Sequence, residues 1–314
     1  MNAQGTVLVC GATGAVGRHV VRDLVRRGEP VRALVRRPTD ATWLGDLDVD
    51  VVRGDLRQVG AAHRALGGIT TVVSAVTALG RYMAGDHSTR IRDVDLRGVC
   101  NLVDTAAASG VERFIYVSVA RRFRPTNCAV VTASEEVEQR LERSGMTAII
   151  VRSEPYAELW LSPQVGFDPA KGAARIFGRG TMPIRFTSTA GVGAAVAALA
   201  VADDPPTEVE LAAPEAVSFV EACGIVESIT GRRIRRAHIP RVVLRAASTV
   251  LRRLQPELAS AMALGYGLDT YESRVDESGF AALGITPRPA TAYLRDTYGA
   301  LAIGVATAAP GRML

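Results

Sequence analysis

The sequence predicts an α/β protein, a doubly wound parallel sheet followed by a smaller C-terminal α/β lobe. Three observations carry this. The first half alternates short β-branched runs with longer amphipathic stretches, the signature of parallel strands covered on both faces. Glycines 11, 14 and 17 close the first apolar run and open the first helical pattern. After about residue 155 the pattern changes, with Pro155, Pro163, Pro169, Gly172, Gly178, Gly180 and Pro183 punctuating a loop-rich stretch.

In chain order, the predicted strands of the first half are Thr6–Cys10, Val31–Val35, Asp50–Arg53, Thr71–Ser74, Phe114–Ser118 and Ala148–Val151. The predicted helices are Val16–Arg27, Val59–Ala65, Thr89–Ser109 and Ala133–Ser144. Their order, βαβαβ twice over, is the doubly wound plan. Beyond it come a strand-like piece, Met182–Thr187, a helix, Ala190–Val201, and a short strand, Glu208–Leu211. Val217–Thr230 reads as a helix with Ser218 near its start and Gly231 at its end, a sensible cap pair. Arg241–Arg253 and Pro256–Leu264 also read as helices, and the small residues of about 304–314 are expected to fray. The expected division is 1–155 for the sheet domain and 156–314 for the second lobe, with about 184–202 returning to the first.

Composition narrows the class. Hydrophobic residues make up 48% and charged residues 22%, enough for a filled core rather than disorder. The longest apolar candidate, Gly191 to Ala202, falls short of the ~20 residues that span a bilayer. No basic segment followed by an apolar stretch opens the chain, so no signal peptide is expected. The four cysteines, Cys10, Cys100, Cys128 and Cys223, lie far apart without metal spacing, which points to a reduced, cytoplasmic setting and no metal. The net charge of +5 comes almost wholly from arginine, and Lys171 is the sole lysine. Arginine clusters at 121–124, 232–236 and 252–253 read as solvated faces with a few anion contacts, because no nucleic-acid motif accompanies them. A small-molecule partner is expected, neither nucleic acid nor a membrane is, and a homo-oligomer is compatible with the sequence.

The turn Gly11–Gly17 meets a physical demand. A tight turn must bring backbone N–H groups and a helix N-terminus against a pyrophosphate, and bulky side chains would obstruct the approach. Thr13, Ala15 and Val16 complete this elbow. Arg36 stands nineteen residues past Gly17, where an acid would bind the ribose hydroxyl of NAD. With Arg37 beside it, Arg36 would instead pair with a 2′-phosphate, so NADP(H) is expected over NAD(H). Asp55 and Leu56 are placed to meet the adenine. Ser74, Ala75 and Val76 would line the path to ribose and nicotinamide.

These residues carry a family resemblance. The segment Asp95 to Ser118, with Gly11–Gly17, Val35-Arg36, Gly54-Asp55-Leu56, Glu138–Gly145, Ile149–Arg152 and the tail Ala282–Pro289, resembles NmrA-like atypical short-chain dehydrogenases/reductases. The resemblance implies an NADP(H)-binding doubly wound parallel Rossmann sheet with a smaller C-terminal α/β substrate lobe. Members include reductases of quinones and phenolic natural products, and also non-catalytic cofactor sensors and assembly factors.

The chain departs from its relatives where the proton is handled. Active short-chain reductases use a tyrosine and a lysine four residues on; here no such pair exists, and Thr132 or Ser134 stands in the lysine slot. The candidate proton donors are Tyr156 and Ser118, ranked above His87, which belongs to a polar loop. A quinone or conjugated acceptor could also take its proton from water. Glu154 follows where relatives carry Arg-Pro and reads as a surface-loop acid, and Gly191 replaces an acid that caps the returning helix. Tyr82, Met83, Tyr156, Leu159, Trp160, Phe167 and Phe177 form the expected apolar pocket lining. The leading reading is an NADP(H)-dependent oxidoreductase acting on a small hydrophobic carbonyl, enone or quinone. Its rivals are a non-catalytic NADP(H)-binding regulator or assembly factor, and an isomerase or cyclase on the same fold.

Overall fold

The computed structural model describes residues 5–36, 41–58 and 60–303. Val59, Arg37 and the tail 304–314 lie outside the described residues. The first half runs β1 (Thr6–Cys10), α1 (Gly17–Arg26), β2 (Val31–Val35), β3 (Val49–Arg53), α2 (Ala61–Leu66), β4 (Ile69–Ser74), α3 (Ala78–Met83), α4 (Val99–Ala108), β5 (Arg113–Val119), α5 (Ala129–Glu142) and β6 (Thr147–Ser153). The single helix expected over Thr89–Ser109 is instead a π-helical stretch, Arg92–Gly98, leading into α4. Helix α3 carries no sequence signal strong enough to have been expected.

The rest of the chain is α6 (Ala157–Trp160), β7 (Phe167–Asp168), β8 (Ala173–Phe177), α7 (Thr189–Val201), β9 (Glu208–Leu211), α8 (Phe219–Thr230), β10 (Arg235–Ile239), α9 (Arg241–Val250), α10 (Pro256–Thr270), α11 (Ser278–Ala282) and α12 (Ala290–Tyr298). The main sheet has seven strands in the order β3-β2-β1-β4-β5-β6-β9, and every pairing in it is parallel. A second sheet has the order β10-β8-β7.

The lobe boundary needs correction. Not only α7 but also β9 returns to the main sheet, where Val151 pairs with Val209. Met182–Thr187 is not a strand; single bridges at Ile184–Val217 and Tyr156–Thr187 are its only sheet-like contacts among the described residues. β10 emerges from an arginine-rich run that gave no strand pattern, and α10 continues to Thr270, beyond the expected Leu264.

Three cores follow from the layers. On one face of the main sheet, α1 and α7 bury Val20, Leu24, Val192, Val196 and Leu199 with Val9 and Ile115. Gly193 permits the close crossing, since a Cβ there would stand 2.4 Å from the His19 Cβ. On the other face, α2, α4 and α5 bury Leu66, Leu102, Val103 and Leu141 with Leu8 and Phe114. The second lobe closes around Trp160, Phe167, Phe186, Phe219 and Leu268. The caps of α8 form as expected: Ser218 and Glu221 make a reciprocal capping box, and Gly231 ends the helix at φ +68°. Ser188 caps α7 through the Gly191 N–H, 3.0 Å away, so the missing acid is replaced locally.

Candidate cofactor and active site

The elbow between β1 and α1 is tight because its glycines leave no alternative. Gly11 holds φ +86°, and a Cβ on it would lie 2.6 Å from the Ala75 carbonyl oxygen. A Cβ on Gly17 would stand 2.1 Å from the Gly11 oxygen. The Gly14 N–H closes the turn on that same oxygen at 2.8 Å. Thr13 is half-buried, Val16 and Gly17 are buried, and Gly14 and Ala15 are exposed at the mouth. Helix α1 begins with neither a side-chain cap nor an acid in its first turn. Its N-terminal dipole is therefore open to an anion. Ala75 is tied to Cys10 by a 3.0 Å hydrogen bond, and Ala75 and Val76 are half-buried beside the elbow. Ser74 is fully buried with an unpartnered hydroxyl.

Arg36 leaves the end of β2 and meets Asp86 at 3.4 Å, while its Nε is buried without a partner. Arg81, on α3, shares the same carboxylate at 3.0 Å. Two guanidiniums thus face one acid, and positive charge is left over. Burial and the neighbouring Arg81 lower the Arg36 pKa; the guanidinium stays charged. Hydrogen bonds from the Ser88 hydroxyl and N–H, with Arg81 beside it, hold Asp86 well below the usual carboxylate range. Asp55 is clasped by Arg57 at 2.7 Å, and Leu56 packs into the core between α2 and α4. The cradle a Cβ would fill and the orphaned Nε both fit a dinucleotide. The sequence flagged Arg36 by its spacing, but Arg81 and Asp86 lie 45 and 50 residues further on, and no local signal joins them.

The candidate donors lie in different layers. Ser118 is buried in β5, donates to Glu138 of α5 at 2.5 Å and accepts from Arg152 at 3.3 Å. Burial opposes ionisation of Glu138, but hydrogen bonds from Arg152 and Ser118 outweigh it and keep the carboxyl below its ordinary value. Tyr156 packs instead against the α1–α7 core, its hydroxyl 2.8 Å from the Ser153 hydroxyl. Burial pushes that phenol up to about 12. His87 is exposed and stacks edge-on against Tyr82, 4.4 Å between centroids. In the lysine slot, Thr132 donates back to the Cys128 carbonyl and Ser134 to the Val130 carbonyl, each at 3.0 Å.

Two expectations are corrected. Trp160 and Phe167, with Phe177, do not line a cleft: they are 4%, 0% and 4% exposed and pack as core. Tyr82, Met83 and Leu159 keep open surface. Glu154 is no surface acid; it is buried, paired with Arg122 at 3.1 Å, and accepts from Ser273 at 2.8 Å. The sequence reading also missed Asp95, 3% exposed, which caps α3 by accepting the Ala78 N–H at 2.9 Å. Burial pushes its carboxyl up to about 7. Among the described residues, no three His, Cys, Asp or Glu side chains are placed to hold a metal ion.

The strand order, with its switch between β1 and β4, and the glycine elbow at that point define a dinucleotide-binding Rossmann protein. The profile of a family described as NAD(P)H-binding matches residues 11–160. The chain is 30% identical over 231 residues to the (4-alkanoyl-5-oxo-2,5-dihydrofuran-3-yl)methyl phosphate reductase of Streptomyces griseus subsp. griseus, covering 73% of this chain and 75% of that protein. It is 31% identical over 147 residues to photosystem II assembly factor Ycf39 of Cyanophora paradoxa, 47% of this chain and 44% of that one. The chain thus spans less than half the length of that assembly factor. The Escherichia coli NADPH-dependent quinone oxidoreductase complexed with NADPH shares the fold at TM-score 0.73 and 18% identity, over 92% of this chain and 99% of that one. The protein belongs to the NAD(P)H-binding, NmrA-like atypical short-chain dehydrogenases/reductases.

Proposed function

We propose that the protein is an NADP(H)-dependent oxidoreductase acting on a small hydrophobic carbonyl, enone or quinone. The observation that carries this is the orphaned, buried Nε of Arg36 beside an intact glycine cradle. A buried donor without a partner costs about 1–3 kcal/mol, and a 2′-phosphate would satisfy it. The elbow would hold the pyrophosphate, and Arg36 with Arg81 the adenosine end. The cofactor, when bound, supplies a hydride. The chain offers no tyrosine–lysine relay, and its hydroxyls in the lysine slot bond back to their own helix. Ser118 is committed to Glu138, and Tyr156 holds its proton tightly among apolar neighbours. This favours an acceptor that draws its proton from water, as a quinone or conjugated system can.

The second reading, a cofactor-binding regulator or assembly factor, is supported by the same empty lysine slot. An NADPH fluorescence titration followed by turnover on a quinone and enone panel separates the two. Binding with turnover supports the reductase, binding without turnover across the panel supports the regulator, and no binding overturns both. Arg36→Ala is expected to weaken NADPH by about 10- to 100-fold, the worth of a charged hydrogen bond, and to leave NADH nearly unchanged. Equal losses would remove the NADP assignment. Tyr156→Phe is expected to leave kcat within about twofold; a loss near the 10²-fold of general acid catalysis would restore Tyr156 as donor.

A further inference from the structure

Residues 231–255 contain eight arginines and no aspartate or glutamate. The stretch covers β10, α9 and the turns that follow it. Arg236 pairs with Glu227 and Arg241 with Asp269. Arg232, Arg233, Arg235, Arg245, Arg252 and Arg253 are exposed, and among the described residues none of them takes part in an ion pair. The same stretch holds Val242, Val243, Val250 and Leu254, which are 75%, 50%, 73% and 83% exposed. Val51, at 38%, is the other large hydrophobic so exposed among the described residues. Residues 242, 246 and 250 follow one another at the i,i+4 spacing of a single helix face. Leu244 is the buried side chain of α9, and its face packs on α10. The outward face of α9 is therefore valine and alanine, with arginine at its flank and just beyond its end.

We propose that the outer face of α9, continued to Leu254 and ringed by these arginines, binds the surface of an anionic lipid bilayer. A large apolar face beside unpaired basic side chains is the pattern of a helix that lies in the headgroup plane. The aliphatic side chains would enter the acyl boundary while the guanidiniums meet lipid phosphates. Other occupants fit less well. A nucleic acid would satisfy the arginines but leave the four aliphatic side chains in water, for which phosphate contacts give no return. A second copy of this chain would set two acid-free, arginine-rich faces against each other across a two-fold axis. The binding is peripheral: among the described residues no helix is long and apolar enough to cross a membrane.

The test is co-sedimentation of the full chain with phosphatidylcholine vesicles and with vesicles containing phosphatidylglycerol. Binding is expected to the second alone and to fall with added salt. Reversing three charges, R245E/R252E/R253E, is expected to weaken binding by at least about a hundredfold, at about fivefold per arginine. The triple variant V242S/V250S/L254S is expected to weaken it at least about tenfold through lost apolar burial. Both variants should keep the NADPH affinity and thermal midpoint of the parent, because the substituted side chains are exposed. Three results would overturn the proposal. These are no sedimentation with either vesicle, equal binding to both, or binding unchanged in the serine variant. Capture of RNA or DNA that the serine variant retains, with no vesicle binding, would assign the face to nucleic acid instead.

Discussion

Asp95 shows how much chemistry one residue can draw from its surroundings. Its carboxyl accepts the Ala78 N–H and bonds the Thr77 hydroxyl, but burial, with the Glu257 carboxylate nearby, outweighs those hydrogen bonds and pushes it up to about 7. In the unfolded chain the same group titrates near ~3.9. Between those values the native protein holds a proton that the unfolded one has lost. The contribution is therefore full below about pH 4 and disappears as pH rises through about 7, at no more than about 1.4 kcal/mol per pH unit. Burial also raises Glu154 and Glu158 in the same direction, so the informative quantity is a difference. Asp95→Asn keeps an acceptor for Ala78 but cannot ionise. Urea midpoints are expected to show the variant gaining on the parent between about pH 4 and about pH 7. A parent-minus-variant gap that stays constant over that range would mean that Asp95 is ionised throughout.

Among the elements, the joint between the lobes sets a buried ion pair inside an apolar seam, where Leu79, Val94, Phe123 and Val131 pack with Phe177, Leu264 and Leu268. Arg122, in the 3₁₀ turn Arg121–Thr126 after β5, is 1% exposed and pairs with Glu154 just beyond β6, also 1% exposed. The same guanidinium donates to the Leu268 and Tyr271 carbonyls at the end of α10. Ser273 completes the carboxylate. Removing one partner strands the other charge away from water, so Arg122→Met is expected to cost about 3–5 kcal/mol in denaturant unfolding. The double variant R122M/E154Q is expected to recover part of that loss, because the stranded carboxylate is gone. A single-variant cost below about 1 kcal/mol, the range of exposed pairs, would show that the pair is solvated.

At the scale of the whole molecule, the chain passes between its lobes more than once. After β6 it leaves for α6, β7 and β8, returns with α7 and β9, and leaves again for α8, β10, α9 and α10. Phe280 of α11 then comes back to the α1–α7 core, fully buried there. A cut at residue 155 therefore removes Val192, Val196, Leu199 and Phe280 from one face of the sheet. The fragment 1–155 is expected not to fold alone. It should bind ANS, lack a cooperative thermal transition and fail to bind NADPH. A cooperative, cofactor-binding fragment would show that α7 and β9 are accessory.

The amino-acid sequence by itself determined the parallel α/β half, the elbow at Gly11–Gly17, the place of Arg36 and the caps at Ser218 and Gly231. All of these are set by short-range demands: the periods of strand and helix, the space a Cβ needs, and the donors left free at a helix end. Only the tertiary structure decided that Glu154 is buried against Arg122, that Trp160 and Phe167 are core, that β9 joins the main sheet and that Arg36 shares Asp86 with Arg81. It likewise decided that α9 turns its valines outward. The reason is physical: burial and charge pairing depend on groups that are dozens of residues apart in the chain, and the same side chain is solvated or stranded according to what the fold places against it.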